Sequence, residues 1–254
     1  MSDAVLTEVA DGVMTITINR PKAKNAVNLD VAKGIAAAMD ELDSNDSIQV
    51  AILTGAEGTF CSGMDLKAFV SGEMPFIEGK GFAGLVESLP KKPLIAAVEG
   101  FALAGGFELM IACDLVVSAN SAKFGIPEAK RGLVAAAGGL MRLPRQIAPR
   151  IAMELALTGD FIDANRAYEL GLINRVVEPG AALEGAKALA KSIAANGPLA
   201  VIKSKEVILE SQDWSLDEMF PNQQKQVDVI FSSEDAIEGA TAFAEKRAPN
   251  WKGR

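Results

Sequence analysis

Histidine is absent from all 254 residues. That absence removes Ser-His triads, Cys-His dyads, histidine metal sites and imidazole acid–base catalysis together. Cysteine is scarce: Cys61 and Cys113 stand far apart, and no CxxC pair occurs. Such a pattern supplies neither a zinc site nor a disulfide framework, so no metal site is expected. No apolar run reaches the roughly 20 residues of a membrane-spanning helix. The opening stretch, "MSDAVLTEVADG", is acidic and lacks arginine, unlike a secretory signal or a transit peptide. Basic residues are outnumbered as well. The formal net charge is −8 and the pI about 4.8. An acidic surface disfavours nucleic acid and anionic membranes, which need basic patches. The expectation is a cytoplasmic protein with neither kind of partner.

What is present reads as a globular α/β chain. Strand and helix signals alternate through the first half. "VMTITINR" (13–20) has period-2 alternation and β-branched residues, and predicts a strand. "NLDVAKGIAAAMDEL" (28–42) repeats Val31, Ile35, Ala38 and Leu42 at helical spacing, with Asn28 as its N-cap. "VAILTG" (50–55), "PLIAAVEG" (93–100) and "DLVVSAN" (114–120) read as strands, the first two of the continuously apolar, buried kind. "FAGLVESL" (82–89) reads as a helix ended before Pro90. The second half reads as helices: "AGGLMRLPRQIAPRIAMELALTG", "DANRAYELG", "AALEGAKALAKSIAANGP" and "LAVIKSKEVILESQ". Gly171 and Asn196-Gly197-Pro198 are stop signals. Alternation of this kind predicts an α/β core.

The residue that asks for an explanation is Glu108, a charge inside the apolar stretch "LAGGFELMIACD" (103–114). Alone, it fits a first-turn residue favoured by the helix dipole as well as it fits chemistry. Gly105 and Gly106 precede it and permit close backbone approach. A helix N-terminus there offers free N–H groups to an oxyanion. Glu108 lies three residues after Gly105, on the same helix face. Amide donors and a proton-moving carboxylate thus share one space, which suits chemistry beside a carbonyl. "GTFCSGMDL" (58–66) follows a strand end, where open α/β sheets bind ligands. By itself it is equally an ordinary loop. "KFGIPEAKRG" (123–132) places Glu128 on a rigid loop after a proline, and alone fits a surface pair with Lys130 or Arg131 better.

In this order the segments resemble the enoyl-CoA hydratase/isomerase (crotonase) superfamily over nearly the whole chain. The resemblance is carried by "NRPKAKNAVN" (19–28), "FCSGMDL" (60–66), "VEGFALAGGFELMIACDLVVSA" (98–119), "FGIPEAKRGLVAAAGG" (124–139) and "AFAEKRAPNW" (242–251). It implies a spiral of ββα units over 1–195, holding the CoA site and both glutamates, and a helical C-terminal trimerisation region over 196–254. It also implies a homotrimer or dimer of trimers acting on an acyl-CoA thioester. No cofactor is implied, since coenzyme A enters as part of the substrate. The amides of Ser62 and Gly105 match the oxyanion positions. Glu108 and Glu128 match the two catalytic glutamates: Glu108 as base on the water attacking Cβ, Glu128 orienting it and protonating Cα. Lys22, Ala23 and Lys24, with the backbone of Met64, Asp65 and Leu66, match the CoA site. Phe243 and Lys246 match residues that reach a neighbouring subunit's site.

The implied activity is reversible hydration of a trans-2-enoyl-CoA to a 3-hydroxyacyl-CoA. Enoyl-CoA isomerase and carnitinyl-CoA dehydratase chemistry are the alternatives; a non-catalytic CoA-binding paralogue ranks below them, because both glutamates are kept. RNA binding, known among such folds, conflicts with the acidic pI. Two departures bear on the acyl pocket: Val134-Ala135-Ala136 replaces a common Pro-Gly or Pro-Asp, and Met64 replaces a common alanine. Arg142, Arg145 and Arg150 read as solvated or subunit-facing helix positions rather than a phosphate site.

Overall fold

The structure is a computed structural model and describes residues 3–254; Met1 and Ser2 of the opening stretch lie outside the described residues. A six-stranded sheet runs in the order Val5–Ala10, Val13–Ile18, Val50–Gly55, Leu94–Val98, Leu115–Ala119 and Arg175–Val177. The first two strands form an antiparallel hairpin. Its turn is Asp11-Gly12, both at positive φ (51° and 75°), the pairing that matches strand twist. Every other pairing in this sheet is parallel.

A parallel sheet needs cover on both faces, and the apolar strands supply two faces. Leu53, Leu94 and Ala96 point into the main core with Val31, Ile35 and Leu42 of the Leu29–Ser44 helix. Val50, Ile52, Ile95 and Val117 point the other way, onto Ala182, Ala186 and Ala190 of the Ala182–Ala194 helix. Alanines four apart give that helix a flat face, so it lies close to the sheet. Asn28 caps the first helix by accepting the Val31 amide at 3.1 Å.

A second, smaller sheet sets the site. It contains Phe101–Leu103, Lys123–Gly125 and Ile162–Asp163, and Cys61 bridges onto Ala102 beside it. The chain passes from Leu94–Val98 to Phe101–Leu103, then into the Gly105–Ala112 helix. It repeats with Leu115–Ala119, Lys123–Gly125 and the helices Gly139–Gln146 and Pro149–Thr158. This repetition is the expected ββα spiral. Successive turns stack Cys61, Ala102 and Phe124 in one row, which brings the predicted functional segments side by side.

The structure corrects three local expectations. Residues 82–89 form turns rather than a helix: Ala83 and Gly84 sit at φ 55° and 68°, and Phe82 pairs with Phe76 in a two-stranded ribbon. Residues 137–159 hold two helices rather than one, broken at Ile147-Ala148 before Pro149. Glu128 rides a 3-10 helix, Pro127–Arg131, closed by left-handed Gly132, rather than a loop.

Beyond residue 197 the chain forms the helices Pro198–Glu210, Met219–Phe231 and Glu234–Glu245. The first is locked to the core by Lys205, whose ammonium meets Asp114 at 2.7 Å and donates to the Lys92 carbonyl at 3.0 Å. Asp114 also accepts the Leu94 amide at 2.8 Å. Both members of the pair are largely out of solvent, and burial raises the Asp114 pKa despite Lys205. Removing one partner strands a buried charge. Lys205→Ala is therefore expected to lower unfolding free energy by about 3 kcal/mol, read from denaturant melts. Adding Asp114→Asn should recover part of that loss; a single variant as stable as the parent would contradict this role.

Candidate active site

Two loops form the outer ledge of the site. Asn25 is fully buried and left-handed at φ 54°. Its side chain accepts the Arg20 amide at 2.9 Å and donates to the carbonyls of Ala56 and Thr59 at 2.9 and 2.6 Å. The Arg20 guanidinium pairs with Asp65 at 2.9 Å, and Asp65 caps the Leu66–Val70 helix. Burial would lift the Asp65 pKa, but Arg20 and two backbone donors hold it below its ordinary value. Backbone bonds Val27 to Gly63 and Asp65 to Val27 (2.8 and 2.9 Å) complete the seam. Lys22, Ala23 and Lys24 are thereby set beside Met64, Asp65 and Leu66, with the two lysines exposed.

The inner wall is the Gly105–Ala112 helix, buried along its whole length. It is entered through Ala104 at φ 52°, ψ −130°, a strained conformation for a residue with a side chain. A Cβ on Gly106 would lie 2.2 Å from the Cys61 carbonyl oxygen, and one on Gly105 2.7 Å from the Phe82 ring. Gly106 requires glycine because the Cys61 backbone presses on it, whereas at Gly105 the Phe82 ring would have to move.

The resemblance matches the Ser62 amide to an oxyanion position, and the hydrogen bonding speaks against it. Its N–H already donates to the Lys24 carbonyl at 3.1 Å. Among the described residues, the amides of Met64 and Gly105 donate to no protein acceptor. They are neighbours: a Cβ on Gly105 would lie 3.6 Å from the Met64 nitrogen. The donor pair available to an oxyanion is Met64 and Gly105, while Ser62 only lines the cavity. Sequence reasoning had Met64 on the right segment, but a free amide is visible only once its competitors are placed.

Glu108 is 3% exposed. Its Oε1 accepts from the amides of Ala137 and Gly139 at 2.8 and 2.9 Å. Burial pushes its pKa up to about 7, opposed by the Gly139 bond, raised further by the Glu128 charge, and opposed again by the Ala137 bond and Arg142. Sequence reasoning missed this cradle. Its signal was present in "AAAGG", a second glycine pair opening a helix.

Glu128 has a buried Oε2 with no protein hydrogen-bond partner. Its pKa is raised, mainly by burial, against its own amide and the Arg131 charge. The surface pair with Lys130 does not form; Lys130 meets Asp160 at 2.7 Å instead. Glu108, Glu128, Met64 and Gly105 line one cavity of about 330 Å³. A larger cavity, about 930 Å³, holds neither glutamate. Phe82, Phe76, Phe69 and Phe161 give the smaller one an aromatic wall, with Phe76 and Phe82 edge-on at 5.7 Å. Val134 and Ala136 line it, whereas Ala135 turns into the core. Phe243 and Lys246 are exposed and do not line it within this chain. Arg142, read as solvated or subunit-facing, is half-buried behind Glu108.

The chain matches the family described as enoyl-CoA hydratase/isomerase over residues 8–254. It is 59% identical to a crystal structure of enoyl-CoA hydratase from Mycobacterium tuberculosis H37Rv, with a TM-score of 0.98 and 100% of both chains covered. It is 44% identical to enoyl-CoA hydratase EchA19 of the same species, covering 98% of this chain and 96% of the relative. It is 39% identical to carnitinyl-CoA dehydratase of Proteus mirabilis, covering all of both chains.

A carboxyl pKa lifted from 4.5 to about 7 means that the folded state holds this proton more tightly than the unfolded chain. The stability it confers is full below the unfolded value and lost as pH rises through 7. Glu108→Gln, which cannot ionise, is expected to exceed the parent's stability at pH 8 by on the order of 3 kcal/mol. The gap should close at acid pH. Thermal melts across this range check it, and parallel curves would refute it.

Proposed function

The chain belongs to the enoyl-CoA hydratase/isomerase family and has its crotonase fold, and from that premise we propose that it reversibly hydrates a trans-2-enoyl-CoA to a 3-hydroxyacyl-CoA. The observation that carries this reading is the sharing of one cavity by two uncommitted amides and two carboxylates of raised pKa.

The thioester oxygen would accept from the Met64 and Gly105 amides. As electron density moves onto it, these preset donors stabilise the enolate; one such donor contributes about 3 kcal/mol to a transition state. Ionised Glu108 takes a proton from water, whose oxygen bonds to Cβ. In the reactive form the two carboxyls share one proton, which Glu128 carries and gives to Cα. One proton then passes from Glu108 back to Glu128, directly or through solvent, and the starting state returns. A base with a pKa near the working pH is half-ionised and still basic enough to act. The thioester is the electron sink, so this scheme uses no metal or redox group.

The alternatives are weighed by the same cavity. An isomerase needs one carboxylate at the Glu128 position, and here there are two. A carnitinyl-CoA substrate brings a quaternary ammonium, and the charged side chains lining the cavity are the two glutamates and Arg131. Arg131 repels that group while the carboxylates and phenylalanine faces attract it, so the cavity admits either acyl group, and turnover of crotonyl-CoA against carnitinyl-CoA separates the two readings. The exposed Lys22 and Lys24 and the ledge Met64–Leu66 would receive the CoA moiety. The exposed Phe243 and Lys246 would act from a neighbouring subunit of a trimer or dimer of trimers.

Loss of the conjugated enoyl-thioester absorbance with crotonyl-CoA tests the reaction. Glu108→Gln and Glu128→Gln should each lower kcat by at least about 100-fold while staying folded. Full turnover in either folded variant rejects the two-carboxylate scheme. A gain of absorbance from a trans-3-enoyl-CoA, without hydration, would mark an isomerase. Ala136→Leu, narrowing the acyl wall, should cut kcat/KM for longer chains more than for crotonyl-CoA; an equal loss at all lengths would remove Ala136 from the acyl site.

A further inference from the structure

We propose that Arg142 is the positioning residue of Glu108: its guanidinium holds the amide cradle of residues 137–139 in place and sets a positive charge against the buried carboxylate. The inference rests on Glu108 being the base of the proposed hydration.

Arg142 stands one turn into the Gly139–Gln146 helix, three residues after Gly139 and on its face. Its side chain folds back over the helix start. A Cβ on Gly138 would lie 2.1 Å from Nη1, so the guanidinium covers the residue between the two amides that hold Glu108. Nη2 donates to the Val86 carbonyl at 2.5 Å, tying the cradle to the turns at 82–89 that also carry Phe82. Gly138 itself is left-handed at φ 95° and offers the helix no side-chain cap. The cradle therefore has few constraints of its own, and Arg142 supplies one from outside.

The placement runs against ordinary helix electrostatics. A cation in the first turn opposes the dipole, and Arg142 is half-buried as well. Desolvation weakens its hold on its proton, and the Glu108 charge offsets that only in part. A cation in so unfavourable a place is accounted for by the Val86 carbonyl it binds and the Glu108 charge that acts on it.

The charges around Glu108 leave this task to Arg142. From the Pro127–Arg131 helix, Glu128 is a like charge, and Arg131 acts on Glu128. Arg145, on the same helix as Arg142, is paired with Asp213 at 3.0 Å. On the ledge, Arg20 and Asp65 satisfy each other. Among the described residues, Arg142 is the cation that acts on Glu108.

The test compares the parent with Arg142→Gln, Arg142→Lys and Arg145→Gln. Two quantities are read: the acidic limb of kcat for crotonyl-CoA hydration, and the titration of the Glu108 carboxyl by carbon NMR of labelled glutamate, assigned with Glu108→Gln. In Arg142→Gln both should move upward by about one pH unit, with kcat at pH 7 reduced about fivefold and KM little changed. Arg142→Lys, which keeps the charge, should retain a limb near the parent's. Arg145→Gln should match the parent in both. An unmoved limb and titration in a folded Arg142→Gln protein overturn the proposal, and a lysine limb displaced as far as the glutamine limb overturns its electrostatic half. The titration needs no turnover. Absent hydration would thus defeat the functional reading and leave the action of Arg142 on Glu108 to be read separately.

Discussion

A buried carboxylate held by two backbone amides is the interaction around which this molecule is organised. Burial lifts the Glu108 pKa toward neutrality, and a carboxylate so buried needs partners. The Ala137 and Gly139 amides hold one oxygen. The balance leaves its pKa near 7 rather than at the extreme of an unpartnered buried acid. The cradle comes from the start of one helix and the carboxylate from the first turn of another. Two helix N-termini thus converge on one cavity, one presenting the uncommitted Gly105 amide and the other holding the Glu108 carboxylate.

The spiral makes that convergence possible. Each turn contributes a strand to each of two sheets and then a helix, so residues 61, 102 and 124 come to lie in one row. The tight approach has local requirements. Gly106 must be glycine because the Cys61 carbonyl touches it, and Ala104 accepts a strained backbone to aim the Gly105 amide into the cavity. Asn25 knits the two ledge loops from a fully buried, left-handed position. These strains are sustained by the continuous core beneath.

Much of the architecture was legible from period and composition. The fully buried strands Val50–Gly55 and Leu94–Val98 read as unbroken apolar runs because a parallel sheet is covered on both faces. The capped helix after Asn28 and the alanine-rich helix at 182–194 were legible for equally local reasons. Residues 82–89 were not, since a helical apolar pattern was overridden by left-handed Ala83 and Gly84 and by pairing of Phe82 with Phe76. The strand Arg175–Val177 was missed because three residues show too little alternation and gain their order from Leu115–Ala119 alongside.

Sequence alone determined the chemistry available: no imidazole, two glutamates after glycine- and proline-marked turns, and glycine pairs opening helices. Those follow from residue type and spacing, which any conformation keeps. Only the tertiary structure decided which groups are free to act. The Ser62 amide is spent on Lys24, the Met64 amide is not, and Arg142 turns inward behind Glu108 instead of into solvent. The physical reason is that an amide's availability and a charge's surroundings are set by atoms brought close by the fold, from residues distant in the chain.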